Sequence, residues 1–206
     1  MNAERQSSVL LSWKRIVALA IIGIGVFISS SQAVAQDRWS IELRPGVHYA
    51  TQNLGDADID LGFGFDVLLK YRFAEYMSIY GGWGWNMFSS KDSFAGTSGN
   101  FEETGYTYGL QFLYPLKDSR TSILARAGAL HDHIEVENDE GDIIADSGHG
   151  FGWQLEAGLA FALGERWTVL PSVRYHYLSR EISLNSVKVD ADLSYVSLGV
   201  GFARVF

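Results

Sequence analysis

Residues 39–49 read Trp39-Ser40-Ile41-Glu42-Leu43-Arg44-Pro45-Gly46-Val47-His48-Tyr49. Odd positions are apolar or aromatic, and even positions are Ser, Glu, Arg, Gly and His. Successive strand side chains point to opposite faces, so the segment reads as a β-strand with one apolar and one polar face.

Seven later segments repeat the pattern. Phe63, Phe65, Val67, Leu69, Tyr71 and Phe73 interleave with Asp66, Lys70 and Arg72, and Trp83 and Trp85 with Gly82 and Gly84. Residues 106–114, 123–129, 151–161, 167–177 and 196–206 alternate likewise, and no amphipathic helix competes. The links alternate in length. Those at 74–76, 115–121 and 164–166 are short, and those at 50–60, 89–103, 134–148 and 184–190 are longer. Runs of about 9–11 residues with short turns at one end and long loops at the other describe a transmembrane barrel. The predicted fold is all-β, an eight-stranded antiparallel up-and-down barrel with short periplasmic turns and longer extracellular loops.

The chemistry of the two faces sets which one meets lipid. The polar face is rich in glycine and sparse in charge, whereas the apolar face carries aromatics near both strand ends. Aromatic girdles belong at the two membrane–water interfaces. Trp39, Tyr71, Tyr114, Trp167 and Phe206 are predicted for the periplasmic girdle. Tyr49, Phe63, Trp85, Tyr106, Trp153 and Tyr177 are predicted for the outer one. A soluble lipocalin-like barrel would turn the apolar face inward instead.

Alternation then directs Glu42, Arg44, His48, Asp66, Lys70, Arg72, Arg126, Glu156, Arg174 and His176 into the lumen. Eight strands enclose only enough space for side chains. Buried charges are expensive unless paired, so these should form a polar network that plugs the barrel. The alternative is a narrow pore lined by the same charges.

Composition is consistent with this reading. The 206 residues include Trp 6, Tyr 10 and Phe 12, more aromatic residues than a disordered chain carries. Cysteine is absent, which excludes disulfides and thiolate metal sites. A net charge of −8 leaves no basic footprint for nucleic acid. The apolar run Ile16–Ile28 follows Lys14 and Arg15 and ends near Ala33-Val34-Ala35. It is too short for a confident membrane helix and reads as a secretory signal peptide, with Ala33 and Ala35 as the cleavage signal. The domains are therefore 1–35, signal peptide, and 36–206, outer-membrane barrel.

The leader, eight alternating strands, Tyr80-Gly81-Gly82-Trp83-Gly84-Trp85 and the terminal pattern Leu198, Val200, Phe202, Phe206 together resemble the small outer-membrane beta-barrel family. Its members include the OmpA membrane domain, OmpX and the Opa-like opacity proteins. The resemblance implies export to the outer membrane of a Gram-negative bacterium and contact with lipid and lipopolysaccharide. It also implies a barrel-assembly signal at Phe202 and Phe206, read by the assembly machinery. Arg204 departs from that signal, where an apolar residue is usual.

Chemistry is sparse. Lipid A deacylases of this barrel type use a His-x-Ser pair, but His176 and Ser179 are three residues apart and face opposite sides, and Ala50 stands two beyond His48. No catalytic, cofactor or metal residues are assigned. His131, Asp132, His133, Glu135, Glu137, Asp139, Glu140, Asp142, Asp146 and His149 crowd the third long link. They read as a solvated acidic loop, with divalent-ion binding as the alternative. The expected function is a non-enzymatic monomeric barrel for envelope integrity and surface display, in which the loops meet a host or surface ligand. A small-solute channel is the alternative, and a lipid A modifying enzyme ranks below it.

Overall fold

The computed structural model describes residues 38–52, 59–90, 99–117, 119–138, 143–184 and 187–206. Ala33, Ala35 and the rest of the expected signal peptide lie outside these residues. So do Asp56 and Asp58 of the first long link and Asp139, Glu140 and Asp142 of the third.

Nine strands are present among the described residues: β1 Trp39–Ala50, β2 Ile59–Arg72, β3 Met77–Ser90, β4 Gly99–Pro115, β5 Thr121–Asn138, β6 Ile143–Asp146, β7 Gly150–Leu163, β8 Trp167–Leu184 and β9 Val187–Val205. Neighbours pair antiparallel in the order β4-β3-β2-β1-β9-β8-β7-β5, and β4 also pairs with β5. Eight strands thus close into a barrel, which matters because an open edge in hydrocarbon would leave backbone groups unsatisfied. The ninth, β6, pairs with the outer end of β5. Gly164, in the turn between β7 and β8, has φ 76°, and Gly148 after β6 has φ 65°, the left-handed region that favours glycine.

The strands run longer than the sequence suggests at the outer end. The link 134–148 is mostly ladder: β5 continues to Asn138 and β6 folds back on it. The link 184–190 is a tight hairpin between Leu184 and Val187. These extensions escape the alternation test because the chemistry of the two faces inverts there while the phase is kept. Along β5, Ile123, Ala125 and Ala127 point outward and Leu124 and Arg126 inward. Further out, the inward positions are Ile134 and Val136, both buried, and the outward ones are His133, Glu135 and Glu137. Within lipid the apolar face must point out. Beyond it water is outside, and the apolar face must point in.

The inverted region has a core of its own, formed by Phe88, Phe101, Ile134, Val136, Ala145, Leu178, Leu193 and Tyr195. A smaller inward apolar group, Leu124, Ala160, Leu170 and Ala203, lies at the periplasmic end. The lumen is therefore polar only in its middle.

Outward positions carry the expected aromatic residues. At the periplasmic end the rings of Trp39 and Tyr71 lie tilted against each other with centroids 4.8 Å apart, Tyr76 lies 5.5 Å from Tyr114, and the Arg204 guanidinium sits 5.8 Å over Trp167. Arg204 thus keeps its charge at the interface rim, over an aromatic face. At the outer end Phe63 is 5.7 Å from Trp85 and Trp153 is 6.1 Å from Tyr177, while Tyr106 is exposed.

Candidate functional site

The middle of the lumen is built by register. Cross-strand partners include Arg44 opposite Asp66, Arg126 opposite both Gln111 and Glu156, and Glu156 opposite Arg174. Their side chains all face inward and are buried. Arg44 donates through Nε and Nη2 to Asp66 Oδ2, both at 3.2 Å, and through Nη1 to Glu156. Arg126 donates to Glu42 Oε2 at 2.6 Å, to Gln111 Oε1 at 2.6 and 2.9 Å, and to Glu156 at 3.3 Å. Lys70 Nζ reaches Glu42 Oε2 at 2.6 Å. Arg174 donates to Asp66 at 3.2 Å and to Gln154 Oε1 at 3.1 Å, and Gln154 donates onward to Thr107 and to Tyr80 Oη.

Glycines on the inner wall make space for these side chains. A Cβ on Gly128 would collide with the Tyr80 hydroxyl, and one on Gly201 would lie 2.5 Å from Glu42 Oε1. The gap left among Arg44, Asp66, Ser172, Arg174, Ser197 and Gly199 is about 10 Å³, room for about one water. A broader depression of about 600 Å³ lies on the barrel wall where Ala125, Ala127 and Ala157 thin it.

Of the residues expected in the network, Glu42, Arg44, Asp66, Lys70, Arg126, Glu156 and Arg174 meet one another. Arg72 ends β2 and is exposed at the periplasmic rim, not buried with them. His176 is buried but belongs to a second polar layer, further out. There its Nε2 lies 2.5 Å from Glu103 Oε1, and its ring stacks on Tyr195 at 4.4 Å and 15°. Tyr195 Oη and Asn86 Nδ2 donate to the other oxygen of Glu103, at 2.8 and 3.2 Å.

Glu103 and Asp132 are the residues the sequence reading misplaced. Glu103 falls at the end of the link 89–103 and Asp132 in the cluster expected to be a solvated acidic loop, yet both are buried, at 1% and 6% exposure. Strand parity could have found them, because Asp132 keeps the phase of inward Arg126, and Glu103 that of inward Gln111. His48 has no serine two residues on in its own strand, but the fold supplies Ser197 from β9, with Nδ1 2.7 Å from Oγ. Among the described residues its Nε2 has no hydrogen-bond partner, and so none of their carboxylates orients the ring as a hydrolytic triad requires.

The remaining histidines of the third link point outward. His133 Nδ1 lies 3.1 Å from Asp146 Oδ1 and 3.9 Å from Glu135 Oε1, and the ring stacks on His149 at 4.3 Å and 14°. Burial alone would raise the Asp146 pKa, but the Gly148 N–H and His133 outweigh it and hold the carboxyl below its ordinary value. Partial burial and the charges of Glu102 and Glu135 raise that of Glu137. The outer rim of β4 and β5 is thus strongly acidic.

Residues 18–206 match the family described as outer membrane protein beta-barrel domain. A comparison with curated protein sequences finds no match. Among solved structures, the chain is similar to Neisserial surface protein A, with TM-score 0.62, 15% identity and coverage of 82% of this chain and 97% of that one. It is also similar to the outer membrane protein OprG from Pseudomonas aeruginosa, with TM-score 0.52, 14% identity and coverage of 81% and 96%. The corresponding values for the E. coli outer membrane protein W are 0.53, 13%, 83% and 100%.

Proposed function

Because the chain belongs to the outer membrane protein beta-barrel domain family, we propose that it is a non-enzymatic barrel that maintains envelope integrity and displays its loops for adhesion to a host or surface ligand. Its location is the outer membrane of a Gram-negative bacterium.

The observation that carries the structural reading is the occluded lumen. Four cationic side chains interlock with three carboxylates across it, and apolar layers lie inward at both ends. A solute path would have to break buried ion pairs, each of which is costly to open once its partner is lost. An inert, self-supporting wall is what a display scaffold needs, since loops carry recognition while the strands hold them rigidly. The acidic outer rim favours a cationic ligand or a divalent bridge to lipopolysaccharide phosphates.

Against an enzyme stands the burial of His48 and Ser197, at 1% and 3% exposure, with no access for a lipid substrate. Phe202 and Phe206 are exposed on the outer wall near the periplasmic end, which suits a signal read by the assembly machinery.

The test is a planar-bilayer recording of the purified barrel, paired with a deletion strain assayed for detergent sensitivity and adhesion. Silent bilayers with an envelope or adhesion defect are expected. Reproducible single-channel steps that change with substitution of Arg126 or Glu42 would establish the channel reading instead.

A further inference from the structure

We propose that the outer half of the lumen holds a divalent transition-metal ion on Glu103, Asp132 and His176. One ligand atom from each of these buried side chains lies within 4.8 Å of the other two. The donors come from β4, β5 and β8, three strands of a closed wall, so their backbones are already fixed relative to one another.

A second observation points to a ligand independently. Among the described residues, four buried side-chain nitrogen or oxygen atoms find no hydrogen-bond partner: His48 Nε2, Asn86 Oδ1, Asp132 Oδ1 and His176 Nδ1. All four residues belong to this one neighbourhood. His176 and Asn86 both contact Glu103, and His48 lies 5.1 Å from Tyr195. Buried polar atoms are overwhelmingly satisfied in folded proteins, so the bare Oδ1 of Asp132, a residue only 6% exposed and grouped with Glu103 and His176, marks a place where something else completes the coordination. Among the described residues, no atom of the ion-pair network below it is on that footing.

Electrostatics favour a cation there. Glu103 and Asp132 are two buried acids that share the one imidazole of His176, and Arg174 is committed to Asp66 and Gln154. A dication would neutralise both acids. Mixed imidazole and carboxylate donors select Zn²⁺, Mn²⁺ or Co²⁺, whereas Ca²⁺ prefers six or more oxygens. Ligands about 2.1 Å from such an ion and tetrahedrally arranged are about 3.4 Å apart. The 2.5 Å contact between His176 and Glu103 would spread by about 1 Å, from a hydrogen bond to a shared metal.

The surroundings resemble a supporting shell. Tyr195 and Asn86 hold one oxygen of Glu103 and leave the other facing His176. Asp132 has glycine as its register partner on both sides, Gly105 and Gly150, and a Cβ on Gly105 would collide with the Asp132 carboxylate. Such partners commonly change metal affinity by about 10–100-fold.

The test refolds the protein into detergent micelles with Zn²⁺, Mn²⁺ or Co²⁺ in turn, washes it with a weak chelator and measures metal per folded chain. About one ion per chain is expected for at least one metal. Glu103→Gln and Asp132→Asn should each weaken retention at least tenfold, roughly the size of a lost supporting or coordinating group. His133→Ala separates this site from the second possible ligand group on the outer rim, His133, Glu135 and Asp146: retention that survives it but is lost in Asp132→Asn belongs to the lumen. Should either lumen variant fail to fold, the wild type decides through its Co²⁺ absorption spectrum, in which imidazole and carboxylate coordination in a site closed to solvent is expected. No retained metal, a spectrum of fully hydrated Co²⁺, or retention lost in His133→Ala but kept in Asp132→Asn would each overturn the proposal.

Discussion

Glu42→Gln keeps the size of a fully buried side chain and removes its charge. Glu42 accepts from Lys70 at 2.6 Å and from Arg126 at 2.6 and 3.1 Å. Arg126 retains Gln111 and Glu156 as partners, so the larger deficit falls on Lys70, whose ammonium bonds only to Glu42 among the described interactions. Removing one partner of a buried pair costs about 3–5 kcal/mol, because the other charge stays desolvated. With a urea slope of about 2 kcal/mol per molar, the unfolding midpoint should fall by roughly 1.5–2.5 M. The assay is urea unfolding of the barrel in lipid vesicles, read by the mobility difference between folded and unfolded protein on a gel. Adding Lys70→Met removes the stranded charge, so the double variant should recover about 1 kcal/mol or more relative to additivity. A single variant within about 0.5 kcal/mol of wild type, the range of an ordinary surface change, would refute tight pairing in the lumen.

Three further outcomes follow from the layered wall. Ala127→Arg, outward at lipid depth, should destabilise by about 2–4 kcal/mol, whereas Glu135→Arg, on the same face of the same strand beyond the lipid, should stay within about 0.5 kcal/mol; urea unfolding in vesicles measures both. Ile134→Ala empties part of the outer core and should cost about 2–5 kcal/mol in the same assay, a loss that a solvated loop position would not show. Because the folded Asp146 carboxyl titrates below its unfolded value, its contribution is present above about pH 4 and is lost as pH falls through the lower folded value. Amide exchange at Gly148, whose N–H bonds to Asp146, should therefore accelerate only at strongly acidic pH, and Asp146→Asn should remove that dependence.

The alternation of Trp39–Tyr49 and its seven repeats was sufficient to read an eight-stranded barrel, its outward aromatic residues and most of its central charges. A strand shows its two faces directly in sequence, because side chains alternate with period two and lipid makes the contrast between faces large. Arg72 escaped that logic. Its parity is correct, but it stands at a strand end, where inward no longer means buried. Glu103 and Asp132 escaped for another reason: their segments lose the lipid-facing signal although the ladder continues.

The sequence by itself determined which positions share a face, since that depends only on parity along each strand. Which residues on that face touch was decided by tertiary structure alone. Arg44 meets Glu156 across 112 positions, and Tyr195 meets Glu103 across 92, through barrel closure and stagger, which no local pattern encodes. Depth was also decided there. The same inward phase carries Leu124, Arg126, Asp132 and Ile134 through an apolar floor, an ionic middle, a polar layer and an apolar cap. The medium outside the wall changes along the axis, and only the folded barrel assigns each residue its height.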